Sequence, residues 1–254
     1  MQYNTDFKNY SKEISNLLEC VNHDLLKKSI DLIYKIKKNN KKIFIVGNGG
    51  SSSIASHVSL DFTKIANVTS TNFNNSNLIT CFANDYGHDN WVKEAIKAYV
   101  IPGDLIILIS SSGVSKNIVN AAKYCKKKNF RILTFSGFSK NNPLSKLGNI
   151  NFHVKSNDYN HIEITHHIIL NFLVEKISNS LEYKECEYLL FSFHGLPERQ
   201  IKRLDKSGQH CMVKNKCCEE ICDSNINCYK AHCTQTVNKV VEQLKPSVEY
   251  SICF

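Results

Sequence analysis

KIFIVGNGGSSS, residues 42 to 53, joins a continuous apolar run to a loop rich in glycine and serine. Such a run is typical of a strand buried on both faces, and apolar residues at helical spacing over about 52 to 65 predict that a helix follows the loop. The glycines permit backbone conformations closed to other residues, and the polar side chains can bond free N–H groups at the helix start. The glycines are Gly47, Gly49 and Gly50, and the polar residues are Asn48, Ser51 and Ser52.

The same alternation of strand and helix continues along the chain. Two amphipathic stretches, at about 6–20 and 23–38, come first and predict a helical hairpin. Further strands are predicted at 77–83, 104–110, 130–136 and 150–154, and further helices near 89–99, 115–128 and 160–178. Because most of these strands are apolar throughout and alternate with helices, the pattern indicates an α/β fold with a parallel sheet covered on both faces.

The end of this pattern marks a domain boundary. SNSLEYKECE, residues 178 to 187, has neither helical nor strand periodicity, so we divide the chain into a first domain at 1–180 and a smaller segment at 181–254. Within the smaller segment the sequence predicts a strand at 188–193, an irregular cysteine-rich loop, a helix at 229–244 and a final strand at 247–254.

Composition narrows the class of protein. The chain starts without a basic region followed by an apolar run, and no stretch approaches the roughly 18 apolar residues that span a bilayer, so we expect a cytoplasmic location. The net charge is +9, but the basic runs at 35–42 and 126–128 lie at predicted helix ends without interleaved aromatic residues, so no nucleic-acid partner is expected. In a reducing cytoplasm, eleven cysteines favour metal ligands or buried thiols over disulfides.

A second polar loop, SSSGVSKN at residues 110 to 117, also follows a strand and opens a helix. Its hydroxyl groups join free N–H groups at the positive end of the helix, an arrangement that suits a phosphate dianion. These hydroxyls belong to Ser110, Ser111, Ser112 and Ser115. Neither loop has the Gly-Lys-Ser/Thr ending of a Walker loop or the glycine pattern of a dinucleotide site, so a nucleotide is not expected.

Three stretches together resemble the sugar isomerase (SIS) domain, and within it the phosphoheptose isomerases: GNGGSSSIASHVSLDFTK, CFANDYGHDNWVKEA and PGDLIILISSSGVSKNIVNAAKYCKKKNFRILTFSG. The resemblance covers about residues 5 to 178 and implies a doubly wound, five-stranded parallel sheet. It implies a phosphorylated sugar as ligand and assembly into a homodimer or homotetramer through the N-terminal helices. The implied substrate-binding residues are Asn48, Gly49, Gly50, Ser51, Asp85, Ser110, Ser111, Ser112 and Ser115.

Isomerisation requires a base that moves a proton between adjacent carbons and a group that polarises the carbonyl. His57 and Asp61 share a helix face at spacing i, i+4, and Glu163, His166 and Asn171 can share a face of the last helix. We name His57, Asp61 and Glu163 as candidate catalytic residues. His153 and His167 are interpreted as structural.

The resemblance places these positions around a zinc ion, and the chain departs from it at three of four of them. Asp61 stands where the relatives have Glu, Glu163 where they have Gln, and Asn171 where they have His. A shorter carboxylate displaces a positioned base, and Asn is a poor replacement for a histidine ligand. Three hypotheses stay open: heptose-phosphate isomerisation, another sugar-phosphate reaction or binding role, and a non-catalytic role in which the domain binds a protein such as a replication initiator.

The smaller segment carries a different resemblance. FSFHGLPERQIK, the cysteine-rich loop, CYKAHC and EYSICF are similar in order and spacing to bacterial ferrochelatase, across about residues 183 to 254. The resemblance implies that His194 is the residue that acts on the metal side of the porphyrin, with iron as the substrate metal. Neutral imidazole suits that task, since it can accept a pyrrole proton or guide iron.

Six cysteines lie between residues 210 and 233. Some bacterial ferrochelatases hold a [2Fe–2S] cluster with cysteines in this region, and four thiolates are what such a cluster requires. The spacing lacks the paired C-x-x-C of zinc ribbons, and adjacent Cys217 and Cys218 do not easily serve as equivalent ligands. We choose Cys211, Cys218, Cys228 and Cys233, with zinc and free thiols as alternatives.

The segment is short for a ferrochelatase, whose porphyrin cleft also uses a preceding half. We therefore expect porphyrin to bind only if the missing chelatase sequence is supplied. Two strands and a helix also fall short of a self-sufficient core unless a metal or partner adds stability. A bifunctional protein and a truncated reading frame both stay open.

Overall fold

A computed structural model describes residues 2–179, 188–244 and 249–254 of the chain. The chain divides into two compact units, Met1–Ser180 and Leu181–Phe254. The SNSLEYKECE stretch, where the boundary was predicted, lies mostly outside the described residues.

The first unit begins with two helices, α1 (Gln2–Glu19) and α2 (His23–Lys38). Asn22 caps α2, because its side-chain oxygen accepts hydrogen bonds from the backbone N–H groups of Asp24 and Leu25 at 2.8 and 3.2 Å. These helices confirm the two predicted at the N-terminus.

Five parallel strands form the central sheet: β1 (Ile43–Val46), β2 (Ser70–Asn72), β3 (Leu105–Ile109), β4 (Arg131–Ser136) and β5 (Ile150–His153). Their order in the sheet is β2-β1-β3-β4-β5. The helices between and after them are α3 (Gly50–Lys64), α4 (Ser76–Tyr86), α5 (Trp91–Tyr99), α6 (Lys116–Lys127) and α7 (Tyr159–Ser178). This architecture confirms the predicted α/β fold with a doubly wound, five-stranded parallel sheet.

Two apolar cores cover the faces of the sheet. Alternate residues of β1 point to opposite sides, so that Ile43 and Ile45 join helices α2, α3 and α7 while Phe44 and Val46 join α5 and α6. All five residues of β3 are fully buried, as expected for a central strand with helices on both sides.

The strand predicted at 77–83 is wrong, because this stretch lies in helix α4. Asn75 caps the helix by accepting hydrogen bonds from the N–H groups of Asn77 and Leu78. Leu78, Ile79 and Phe82 then pack against the second core at helical spacing. Strand β1 pairs with β3 on one side, and on its other side with the short polar strand Ser70–Asn72 at the sheet edge, which has no apolar signal.

The second unit contains β6 (Tyr188–Ser192), α8 (Glu198–Leu204), α9 (Tyr229–Leu244) and β7 (Glu249–Cys253). Strands β6 and β7 form a two-stranded parallel sheet. Both strands and the helix at 229–244 agree with the prediction, but the short helix α8 was not predicted. One buried cluster contains Ile201, Cys211, Cys228 and Ala231, with Leu196 and Cys218 packed against it, and Cys233 and Val237 are also buried.

Membrane-spanning potential was assessed over the same described ranges. No helix in them is long and apolar enough to cross a bilayer.

Candidate functional site

The two polar loops of the first unit meet in one cleft of about 270 Å³. They follow β1 and β3, which are neighbours in the sheet at the point where the chain reverses its direction of winding. Ligands of open α/β sheets bind at such a point. The cleft is lined by Asn48, Gly49, Gly50, Ser51, Ile109, Ser110, Ser111, Ser112, Ser115, Tyr159 and Glu163.

Hydrogen bonds join the two loops to each other. The amides of Asn48 and Asn117 exchange two hydrogen bonds of 2.9 Å, and the hydroxyls of Ser51 and Ser111 lie 3.3 Å apart. Helix α3 begins at Gly50 and α6 begins directly after Ser115, so both helices direct their N-termini at this end of the sheet. Free N–H groups and hydroxyls are thus gathered where an anion can bind.

Glu163 reaches this cleft from helix α7. Its Oε1 accepts a hydrogen bond of 3.2 Å from the Ser111 hydroxyl. Its carboxylate also occupies the space that a side chain at position 50 would fill, so that only glycine fits there without moving Glu163. Among the candidate catalytic residues His57, Asp61 and Glu163, only Glu163 lines the cleft.

His57 and Asp61 lie further along α3. Their side chains are in contact, with 3.1 Å between His57 Nε2 and Asp61 Oδ2. The i, i+4 spacing therefore places them together as predicted. The pair is partly open to solvent, since the His57 side chain is 57% exposed and that of Asp61 25%.

His167, interpreted from the sequence as a structural residue, joins this pair. Its ring centre lies 4.9 Å from that of His57 in an edge arrangement. Burial, followed by the nearby His57, lowers the pKa of His167, and Asp61 opposes that shift. Among the described residues, His167 Nε2 has no hydrogen-bond partner.

The neighbouring His166 is instead a core residue. Its side chain is fully buried, its Nε2 lies 3.2 Å from the carbonyl oxygen of Ser136, and burial lowers its pKa to about 4. The proposed face of Glu163, His166 and Asn171 is therefore not formed, because His166 points at the sheet while Asn171 is exposed. His153 contacts the carbonyl oxygen of Phe138 at 3.2 Å, in keeping with a structural role.

Asp85, expected to bind substrate, lies on α4 and is exposed. Its carboxylate accepts a hydrogen bond of 3.0 Å from the side chain of Asn84. It is not among the residues that line the cleft. Within one chain, Asp85 is therefore not brought together with the phosphate-type loops.

The resemblance to phosphoheptose isomerases implies a possible zinc ion beside His57 and Asp61. Over the described residues, no group of three or more His, Cys, Asp or Glu side chains lies close enough to hold a metal ion. His57 and Asp61 supply two donors, and Glu163 is occupied by Ser111 in the cleft. One chain in this conformation does not fit a zinc ion.

In the second unit, the predicted metal-side residue His194 is exposed just after β6. Its backbone lies close to the side chain of Tyr229, as does the thiol of Cys233. The Cys233 contact raises the pKa of Tyr229. His194 therefore lies near one of the four chosen cysteines.

The cysteine loop is organised around Asp205. Its carboxylate accepts hydrogen bonds from the Ser207 hydroxyl and from the backbone N–H groups of His210 and Cys211, at 2.6, 2.8 and 2.9 Å. These hydrogen bonds, that of Ser207 first, lower the pKa of Asp205 far below its usual range. The carboxylate thus fixes the start of the loop.

Cys211, Cys228 and Cys233 are buried, and Cys218 is half-buried. Burial raises the pKa of Cys211 to about 11 and that of Cys218 to about 12, with contributions from the neighbouring thiols. The four thiols do not converge as a ligand set in the part of the chain that the structure describes, so the arrangement does not fit a [2Fe–2S] cluster and the cluster stays a prediction.

Comparison with known proteins gives two family matches. The SIS domain family profile matches residues 7–137, and the ferrochelatase profile matches residues 160–254. The second match begins inside helix α7, which packs in the core of the first unit. The ferrochelatase match therefore begins before the boundary between the two units, which follows residue 180.

Individual relatives agree with the first match. Phosphoheptose isomerase of Helicobacter pylori is 32% identical over 63% of this chain and 86% of its own length. Phosphoheptose isomerase 2 of Campylobacter jejuni is 34% identical over 45% of this chain, and the alignment spans 60% of the relative. The structure of phosphoheptose isomerase from Neisseria gonorrhoeae superimposes with a TM-score of 0.63 at 20% identity, covering 70% of this chain and 99% of that one, which supports the fold. The chain belongs to the SIS domain family.

Proposed function

We propose that the first unit binds a phosphorylated sugar and interconverts its aldose and ketose forms. The observation that carries this proposal is the cleft in which the hydroxyl-rich loops after β1 and β3 meet two helix N-termini. The relatives named phosphoheptose isomerases support the same substrate class.

The phosphate is held by the N–H groups at the starts of α3 and α6 and by the serine hydroxyls of both loops. Helix N-termini favour anions, and the hydrogen bonds between the two loops hold both helix starts at the same end of the cleft before the ligand binds. His57 lies seven residues after Gly50, about 10 Å along the helix axis at ~1.5 Å per residue. The carbon chain of a sugar phosphate can span that distance.

Asp61 is the proposed base. Its carboxylate takes a proton from the hydroxyl-bearing carbon beside the carbonyl and returns it to the former carbonyl carbon, while the hydroxyl proton passes through water to the former carbonyl oxygen. His57 holds the carboxylate in place through the 3.1 Å contact. His167, packed edge-on against His57, restricts the orientation of that ring. The lowered pKa of His167 favours its neutral form. The ring therefore adds no positive charge next to Asp61 that would reduce the basicity of its carboxylate.

Assembly into a homodimer or homotetramer is part of the proposal. Tyr3 and Phe7 of helix α1 are 89% and 69% exposed, an unusual position for large apolar side chains. Ile164 and Ile168 of α7 are also exposed. Contacts between chains through the N-terminal helices would cover such residues.

The test is turnover of sedoheptulose 7-phosphate by the full chain, with and without added zinc. We expect Asp61→Asn, which keeps the shape but not the basicity of the side chain, to lower kcat by about 10²–10⁴-fold. Asp31→Asn, at an exposed position on α2, is the matched control. Binding without turnover in the unaltered chain would reject isomerisation and leave a binding role, including the alternative of a regulator that binds a protein.

A second candidate function is supported by the ferrochelatase match and by the position of His194 after β6. In this hypothesis the second unit contributes to iron insertion into a porphyrin, and His194 guides iron or accepts a pyrrole proton. A [2Fe–2S] cluster on Cys211, Cys218, Cys228 and Cys233 would require the loop to rearrange. Visible absorption and iron in the purified chain test the cluster; their absence would reject it.

A further inference from the structure

Glu163 gives the cleft an unusual charge. The cleft has one anionic residue, and among the described residues that line it there is no Lys, Arg or His. The nearest basic residue in sequence, Lys116 at the start of α6, is 74% exposed and lies 3.4 Å from Asp89. The carboxylate of Glu163 therefore faces a phosphate-type loop without a cationic side chain between them.

The charges do not balance for a neutral sugar phosphate. Each helix N-terminus contributes about +0.5 charge, whereas a bound phosphate monoester carries about −1.5 to −2. Glu163 adds a further negative charge to that total. A ligand with phosphate as its one charged group would leave roughly two uncompensated negative charges in a small cleft, where such charges interact strongly.

We infer that the cleft selects a sugar phosphate that also carries a free amine, with the ammonium group bound by Glu163. This inference rests on the proposed sugar-phosphate site and deepens it by naming the ligand class. Ser111 bonds Oε1, and the second carboxylate oxygen lies over Gly50, which also lines the cleft. At about 270 Å³ the cleft is at the small end of ligand pockets, which suits a monosaccharide.

The ammonium group is the discriminating feature. An N-acetylated amino sugar phosphate has the same ring, but its nitrogen carries no positive charge. A sugar phosphate with a hydroxyl group in place of the amine also has the same ring and no positive charge. If Glu163 pairs with the ammonium, both analogues lose a charge-assisted hydrogen bond and leave the carboxylate beside the phosphate site. The preference depends on charge and is expected to weaken as ionic strength rises.

Calorimetric titration of the full chain at fixed salt tests the inference with three probes: glucosamine 6-phosphate, glucose 6-phosphate and N-acetylglucosamine 6-phosphate. We expect glucosamine 6-phosphate to bind at least about tenfold more tightly than the other two. Glu163→Gln keeps the side-chain shape and an oxygen for Ser111, and it should abolish this preference while tightening glucose 6-phosphate. Glu175→Gln, exposed on the same helix, is the matched control and should leave the preference intact.

The outcomes separate this inference from the proposed function. Equal binding of glucosamine 6-phosphate and glucose 6-phosphate would overturn the inference while the sugar-phosphate site stands. A preference that survives in Glu163→Gln would overturn the role of Glu163. If none of the three probes binds and sedoheptulose 7-phosphate also fails to bind, the proposed function itself is rejected and the inference with it.

Discussion

The two units of this chain are stabilised in different ways. The first buries apolar side chains on both faces of a five-stranded sheet, and residues such as Ile107, Leu108 and Phe135 have no exposed surface. The second has two strands, and among its described residues three of the six buried apolar ones are cysteines, namely Cys211, Cys228 and Cys233. A buried cysteine packs as a small apolar residue, so thiols do in the second unit part of what Ile and Phe do in the first.

Because of this difference, a sequence motif predicts a functional site more directly in the first unit than in the second. In the first, the sheet positions both polar loops, and the cleft follows from the strand order. In the second, the loop that carries the cysteines is held by Asp205 and by the thiols themselves. The cysteine spacing that suggested a metal site is therefore also compatible with a small apolar core.

The largest expected effect is in the core of the first unit. Phe135→Ala removes a fully buried ring that stacks on Phe152 at 5.0 Å, and should lower the free energy of unfolding by about 3–5 kcal/mol. The sole tryptophan, Trp91, is buried in the same unit, so its fluorescence during urea unfolding reports that unit alone.

The comparison supplies the control for this prediction. Ile201→Ala alters the core of the second unit and should leave the Trp91 transition unchanged. A shift of that transition by Ile201→Ala, as large as the shift by Phe135→Ala, would show that the two units unfold as one.

Much of this first core could be predicted from the sequence, and the exceptions have physical causes. Strands β1 and β3 are continuous apolar runs, and β4 and β5 combine apolar residues with polar ones. The polar edge strand β2 has no such signal, and residues 77–83 are a short apolar run that fits a strand or a buried helix equally well. Only the cap at Asn75 favours the helix.

The site was predictable to the same degree. Both loops were located by their positions after strands, and His57 and Asp61 by helical spacing. The sequence could not distinguish His166 from His167, because neighbouring residues on a helix point about 100° apart and the pattern of α7 leaves its rotation open. Nor could spacing show that Glu163 turns to Gly50, since that contact joins separate elements.

The next effect is a dependence of stability on pH that belongs to the first unit. His166 has a pKa of about 4 in the folded chain against 6.5 as the ordinary value, because burial disfavours the imidazolium. The unfolded chain therefore binds more protons between these pH values, so stability is lost as pH falls from about 6.5 to 4. At ~1.4 kcal/mol per pKa unit, the loss is about 3 kcal/mol.

His166→Gln is the variant for this prediction, since its amide can still donate to the carbonyl oxygen of Ser136 but does not titrate in this range. In this variant, most of the predicted loss of unfolding free energy on lowering the pH, monitored by Trp91 fluorescence, should disappear. His88→Gln, at an exposed position, should leave the pH dependence unchanged. An unchanged slope in His166→Gln would assign the acid sensitivity to other groups.

The smallest effect decides what the thiols of the second unit do. Cys228 is 1% exposed and packs beside Cys211 and Ala231. As a core residue, it should tolerate alanine better than serine, because serine places a hydroxyl in an apolar site at a cost of about 1–3 kcal/mol. As a cluster ligand, it should tolerate neither, since both substitutions remove a thiolate.

The reactivity of Cys211 toward a thiol reagent, measured across a urea series, follows the second unit without involving Trp91. A larger loss for Cys228→Ser than for Cys228→Ala, in protein without visible absorption, would mean that the cysteines act as apolar core. Equal losses of stability in the two variants, accompanied by loss of iron absorption, would mean that the cysteines form a metal site. The packing of neutral thiols would then be the metal-free state of that site.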